Sequence, residues 1–296
     1  MEGMVNLRES FYVFVYGSLR KFGHHNWMLA NAPCAASQSW TTGTLLDSGA
    51  GFPCMVQSEG RVYGELYIVN KDQLAAVDWF EGFYGQGCNN HFERVIQTVM
   101  TDKGPKEAYV YILKDLPRAQ LMERVENGDW GVHVLLKQKE LLYFAYGSCM
   151  DNERFAKAGV GHYFQKMKGI GTLNGFTLRF TRKSLDGGRA DIVEEGGRVE
   201  GKIYEIPRES LSYLYKREGV AAGCYRPALV SVMLTEKLFK NVLTFIVMEK
   251  EAETAPPGHY AAEILRGASG YVSEGYLEQL KLDLHERFCL TVEDGA

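Results

Sequence analysis

Two glutamates and two short loops could do chemistry, because each recurs at matched spacing. Phe14 to Arg20 reads FVYGSLR and Phe144 to Met150 reads FAYGSCM, placing Gly17 and Gly147 130 positions apart. Each loop is followed by a second match, Val62-x-Gly64-x-Leu66-Tyr67 and Val199-x-Gly201-x-Ile203-Tyr204, and a glutamate lies 17 residues beyond that glycine, Glu81 and Glu218. Three landmarks in one order, with one interval kept to the residue, point to two copies of one domain. A strand ending in Tyr-Gly-Ser leaves backbone N–H groups unpaired, and a bend at the glycine can gather them toward an anion or a developing oxyanion. One such tripeptide alone is most simply a turn; recurrence beside the same partners makes it a candidate site. Glu81 and Glu218 each precede a glycine at the end of an expected helix, where negative charge opposes the macrodipole, so local helix energetics do not account for them. A solvated charge is the plain alternative. The chemical reading is a partly buried carboxylate that takes a proton as general base and returns it as general acid. Phe83 and Tyr84 near one glutamate, and Tyr225 near the other, could supply an apolar wall.

Competing chemistries are weaker. Cys149 follows Ser148 in the second loop, but the first loop has Leu19 there, so a covalent cysteine mechanism could not be shared by both copies. His24 and His25 are adjacent rather than spaced as metal ligands on one helix face, and a zinc site would need two more ligands nearby, which argues against a metal. Cysteines 34, 54, 88, 149, 224 and 289 form no C-x-x-C pair and read as reduced thiols. A net charge of −4 with 46% apolar and 24% charged residues gives no electrostatic footprint for nucleic acid or an anionic membrane. MEGMVNLRES at the amino terminus has neither the basic patch nor the apolar stretch of a signal peptide, and no run approaches the ~20 apolar residues of a membrane span. The expected location is the cytoplasm.

The elements that must position these residues follow from periodicity and turn signals. In the first copy, strands are expected over 11–16, 41–46, 61–69, 92–101 and 107–113, with a helix over 71–80 capped by Asn70 and ending at Glu81-Gly82. In the second, strands are expected over 141–146, 172–182, 199–206, 228–234 and 243–248, with the matching helix over 208–218. Residues 251–257 read as a linker before two further helices, 260–266 and 274–288. No turn cluster interrupts 130–140, so the boundary is placed near 138, giving domains 1–138 and 139–296 of about 140 residues each, joined by a short connection that favours packed domains.

Both halves resemble the gamma-glutamylcyclotransferase superfamily, over most of the chain. The second is similar to the general and glutathione-type branch through FAYGSCMDNER, GTLNGFTLRF, GRADIVEEGGRVEGKIYEI, REGV with Tyr225-Arg226, HYAAEILRGA and SEGYLEQL. The first is similar to the AIG2-like branch through FVYGSLRKFGHHNWML, RVYGELYIV, DWFEGF, Phe92-Glu93-Arg94 and NGDW. The resemblance implies an α+β fold of two tandem small mixed β-barrels with flanking helices. It also implies cyclisation of small-molecule gamma-glutamyl amines or peptides to 5-oxoproline without a cofactor. By the same resemblance, Tyr16, Gly17, Ser18 and Leu19 in one copy, and Tyr146, Gly147, Ser148, Cys149 and Tyr225 in the other, would hold the substrate, while Glu81 and Glu218 would move the proton. Cys149 replaces the usual asparagine, Phe92 stands where a tyrosine is usual, and Asp191 where an asparagine is common. Two other readings stay open: a binding module without turnover, and one active copy supported by the other.

Overall fold

The computed structural model describes residues 9–292; residues 1–8, part of the terminus read above for a signal sequence, lie outside them. The chain divides into two compact units, Met1–His133 and Val134–Ala296.

The first unit holds β1 (Ser10–Val15), β2 (Cys34–Asp47), β3 (Pro53–Asn70), β4 (Phe92–Val99), β5 (Lys106–Leu113) and β6 (Glu123–Arg124), with helices α1 (Lys71–Glu81), α2 (Leu116–Ala119) and α3 (Trp130–Leu135), the last carrying the division between the units. Its sheet has the order β4-β5-β1-β3-β2-β6, with β1 and β5 parallel. The sheet curls until Trp40 of β2 bridges Met100 just past β4, through amide bonds of 3.1 and 2.8 Å. The second unit holds β7 (Glu140–Ala145), β8 (Met167–Asn174), β9 (Thr177–Ser184), β10 (Gly187–Val193), β11 (Arg198–Pro207), β12 (Tyr225–Leu234) and β13 (Lys237–Val247), with α4 (Asn152–Lys157), α5 (Leu211–Arg217), α6 (Gly258–Ala268) and α7 (Glu274–Phe288). Here β11-β7-β13-β12-β8 close fully into a barrel, again with one parallel pair, β7 and β13. Apart from β6, which has no counterpart in the barrel, the strands of the two sheets follow one order, and the first sheet is closed only by the Trp40–Met100 bridge.

The repeated V-x-G-x-[LI]-Y segment has a packing reason. A Cβ on Gly64 would lie 2.4 Å from the Val15 carbonyl oxygen, and one on Gly201 would lie 2.3 Å from that of Ala145. No side chain fits there, because the strand crosses its neighbour beside the Phe14 or Phe144 ring at the point where the loop begins. The barrel and helices α6 and α7 share one core in the second unit, including Phe144, Leu173, Ile203, Ile264 and Leu280. In the first unit Phe14, Leu66 and Val110 fill the inside of the curl, and Val13, Leu74 and Val77 pack α1 on the outside.

One expectation fails. The run 172–182 is not a single strand: the chain turns after Asn174, and Thr177–Ser184 leaves the barrel to pair with β10 as a separate two-stranded ribbon. Continuous β-forming composition carried the reading across an Asn-Gly turn that ends the strand. The expected helix over 208–218 begins with a 3₁₀ turn at 208–210, and α5 proper ends at Arg217.

Candidate active sites

Each Tyr-Gly-Ser loop leaves the end of a central strand, β1 or β7, and is anchored by its own tyrosine. The Tyr16 hydroxyl donates to the Tyr111 carbonyl on the parallel neighbour β5 (2.7 Å), and the Tyr146 hydroxyl donates to the Phe245 carbonyl on β13 (2.6 Å). Both tyrosines are buried, so they line the cavity while tying the loop to the sheet. Among the described residues, the backbone N–H groups of Gly17, Ser18 and Leu19, and of Gly147, Ser148 and Cys149, have no hydrogen-bond partner.

A buried charge at the residue after each repeated strand glycine fastens the far side of the loop, with opposite sign in the two copies. Glu65 accepts from the Lys21 amide (2.7 Å) and the Tyr67 hydroxyl (2.9 Å), and lies 3.5 Å from Arg20, whose guanidinium also pairs with Asp129 at 2.7 Å. At the matching position Lys202 donates to the Met150 carbonyl (2.7 Å), and burial pushes its ammonium down to about 8. A buried charge tied to backbone in this way holds the loop in one geometry.

The glutamates arrive from the other side. Helix α1 starts with a capping box in which the Asn70 side chain accepts from the Gln73 amide (2.9 Å) and Gln73 accepts from the Asn70 amide (3.0 Å). It ends at Gly82 in the left-handed region (φ 67°), and Gly219 does the same after Glu218 (φ 61°). Glycine is needed there for the chain to reverse, which leaves the preceding glutamate at the helix exit facing the loop.

In the first unit, Tyr16, Gly17, Ser18, Leu19, Glu81 and Tyr84 line one cavity of about 440 Å³. Phe83 packs instead into the core beside α1. Burial pushes the Glu81 carboxyl up to about 7. The histidine reading misses two wall residues: His25, whose Nδ1 lies 3.0 Å from the Ser18 Oγ, and His91, which covers Gly82. Phe92 also lines this wall. In sequence His25 showed only an adjacent histidine, and His91 no pattern at all.

In the second unit, Tyr146, Gly147, Ser148, Cys149, Glu218 and Tyr225 line a tighter cavity of about 200 Å³. Burial raises the Glu218 carboxyl from its ordinary value, opposed by the Arg217 guanidinium 3.4 Å away. The Cys149 thiol lies 3.5 Å from Glu218, and burial, then that carboxyl, pushes it up to about 11. At neutral pH it is a thiol and a poor nucleophile. Tyr225 donates to the Ala190 carbonyl (2.7 Å), and Tyr260 of α6 accepts from the Ala190 amide (3.2 Å), so a carboxy-terminal helix completes the wall. Asp191 is fully buried, bonded to Thr181, the Val247 amide and Lys250, and is not among the cavity-lining residues. Among the described residues no three His, Cys, Asp or Glu side chains group as a metal site, and no helix is long and apolar enough to cross a membrane.

Each cavity thus joins a carboxyl raised by burial to a set of unpaired amides, an arrangement suited to moving a proton while stabilising an oxyanion. Residues 13–132 match the family described as gamma-glutamyl cyclotransferase, AIG2-like, and residues 198–280 match the AIG2-like family. The chain is 44% identical over 275 residues to YkqA of Bacillus subtilis (strain 168), which bears a provisional gamma-glutamylcyclotransferase name; the alignment covers 91% of this chain and 95% of YkqA. The crystal structure of YkqA matches with a TM-score of 0.85 at 41% identity, covering 96% of this chain and all of that one. A gamma-glutamylcyclotransferase of Bos taurus is 32% identical over 138 residues, 44% of this chain and 71% of the bovine protein.

Proposed function

The chain belongs to the gamma-glutamylcyclotransferase superfamily as a tandem, two-domain member, and from that premise we propose that it converts gamma-glutamyl amines or peptides to 5-oxoproline and the free amine. The substrate's α-nitrogen attacks the γ-carbonyl carbon, forming the lactam C–N bond. The carboxylate of Glu81 or Glu218 removes the proton from that nitrogen. The amides of residues 17–19 or 147–149 hold the oxyanion. As the tetrahedral intermediate collapses, the same glutamic acid returns the proton to the departing nitrogen and the bond to the amine breaks. Atoms and charge balance without water, redox chemistry or a cofactor.

The observation that carries this reading is that matched glutamates share a cavity with matched, unpaired loop amides in both units, and burial raises both carboxyls. A general base works best with a pKa near the working pH, which Glu81 at about 7 satisfies. We propose the cytoplasm as the setting of the reaction, a reading supported by scattered cysteines that form no C-x-x-C pair. Incubation with a panel of gamma-glutamyl compounds, followed by mass spectrometry for 5-oxoproline, tests it: at least one compound should be cyclised, and a panel spanning neutral, acidic and peptide amines with no product would refute it.

A further inference from the structure

The ribbon β9–β10 does something the catalytic reading leaves unused. Arg182 and Arg189 stand directly opposite each other in its antiparallel register, and both line the second cavity together with Ser184. Like charges at opposed positions on one face of a sheet destabilise the pair, so the ribbon carries an electrostatic cost that an anion between the guanidinium groups would relieve. Only part of that charge is neutralised within the protein. Arg189 pairs with Asp186 at 2.6 Å and lies 4.9 Å over the Tyr260 ring. Arg182 donates to the Cys224 sulfur (2.7 Å) and the Lys183 carbonyl (3.3 Å), and has no carboxylate partner among the described residues.

The rest of the wall sharpens the point. Two further arginines line this cavity, Arg154 paired with Glu263, and Arg217 beside Glu218 and donating to the Ser148 hydroxyl at 3.1 Å. Among the described residues, Glu218 is the one carboxyl of the lining. Arg217 thus stands against the loop, whereas Arg182 and Arg189 stand away from it on the ribbon. The first cavity has the reverse character: no lysine or arginine among the described residues lines it, and Phe52, Trp79, Phe80 and Phe92 make an apolar wall around about twice the space.

We propose that Arg182 and Arg189 form an anion subsite that binds a carboxylate on the amine side of the substrate, so that the second domain selects gamma-glutamyl amino acids or acidic peptides, whereas the first takes leaving amines without negative charge. This rests on the cyclotransferase reading of the same cavity. Planar guanidinium forks suit a carboxylate, and a charged hydrogen bond of this kind discriminates by about ten- to a hundredfold.

The test uses the full chain carrying Glu81→Gln, so that only the second domain turns over, and compares gamma-glutamylalanine with its C-terminal carboxamide. The ratio of kcat/KM for acid over amide should fall about ten- to a hundredfold in Arg182→Leu and in Arg189→Leu, and Arg182→Lys should recover part of it. An unchanged ratio overturns the subsite, including the case in which both substrates weaken equally, because the arginines would then hold the glutamyl group itself. The same acid-to-amide ratio is read as binding affinity by calorimetry in a Glu81→Gln, Glu218→Gln background. If nothing is turned over, the catalytic reading fails while the binding ratio still decides the subsite. The thermal melt of Arg182→Leu should match the parent or exceed it, since a like-charge pair is removed; Arg189→Leu also gives up its pair with Asp186 and its contact with the Tyr260 ring.

Discussion

Glu81 gives a prediction that needs no substrate. Burial holds its carboxyl at about 7 instead of the ordinary 4.5, so folding favours the protonated form. The sign follows from linkage: this contribution to stability is complete below pH 4.5 and is lost as pH rises through about 7. A difference of that size amounts to roughly 3 kcal/mol for a sealed group, and Glu81 is part-exposed at its cavity, so about 1–3 kcal/mol is expected. Glu81→Gln keeps the shape and cannot ionise. Wild type and variant should therefore differ by a roughly constant amount at low pH, and the variant should gain about 1–3 kcal/mol on wild type between pH 4.5 and 8. All four tryptophans, Trp27, Trp40, Trp79 and Trp130, lie in the first unit, so tryptophan fluorescence during urea unfolding reports this unit selectively. A stability gap that stays flat across that pH range, or widens toward acid, refutes a buried, protonated Glu81.

Other outcomes follow from the fastening of the loops. Asp129→Ala leaves the Arg20 guanidinium buried beside Glu65 alone and should destabilise the first unit by about 3–5 kcal/mol, read by the same fluorescence; a change below 1 kcal/mol would mean the pair does not hold the loop. Gly201→Ala puts a methyl 2.3 Å from the Ala145 oxygen and should cost at least about 1–3 kcal/mol, lowering the melting temperature of the second unit. Iodoacetamide at pH 7.5 should label the exposed Cys88 and Cys289 well before Cys149, as peptide mapping would show, and preferential labelling of Cys149 would reopen a nucleophilic role.

What the sequence revealed was what repeats locally. The loops, the strand glycines and the glutamates each sit in a short segment whose spacing survives in both copies, so their meeting could be inferred without any contact being known. The cap at Asn70 and the helix exits at Gly82 and Gly219 were legible for the same reason. Features made by pairing across distance were hidden. The opposition of Arg182 and Arg189 exists only because the chain turns after Asn174 and starts a ribbon, and reading 172–182 as one strand concealed it. The buried charge after each repeated glycine escaped notice because it is acidic in one copy and basic in the other, although Glu65 and Lys202 fasten the same loop. His25, His91 and Tyr260 reach their cavities through tertiary packing alone.

The most direct test of the central claim is turnover by the Glu81→Gln, Glu218→Gln double variant, measured on a gamma-glutamyl substrate of the wild-type protein with 5-oxoproline and free amine both quantified. Wild type should give equimolar products, and the double variant should lose kcat by about 10²–10⁴-fold, with KM little changed because the loop amides remain. Turnover that persists near the wild-type rate in that variant would contradict the claim.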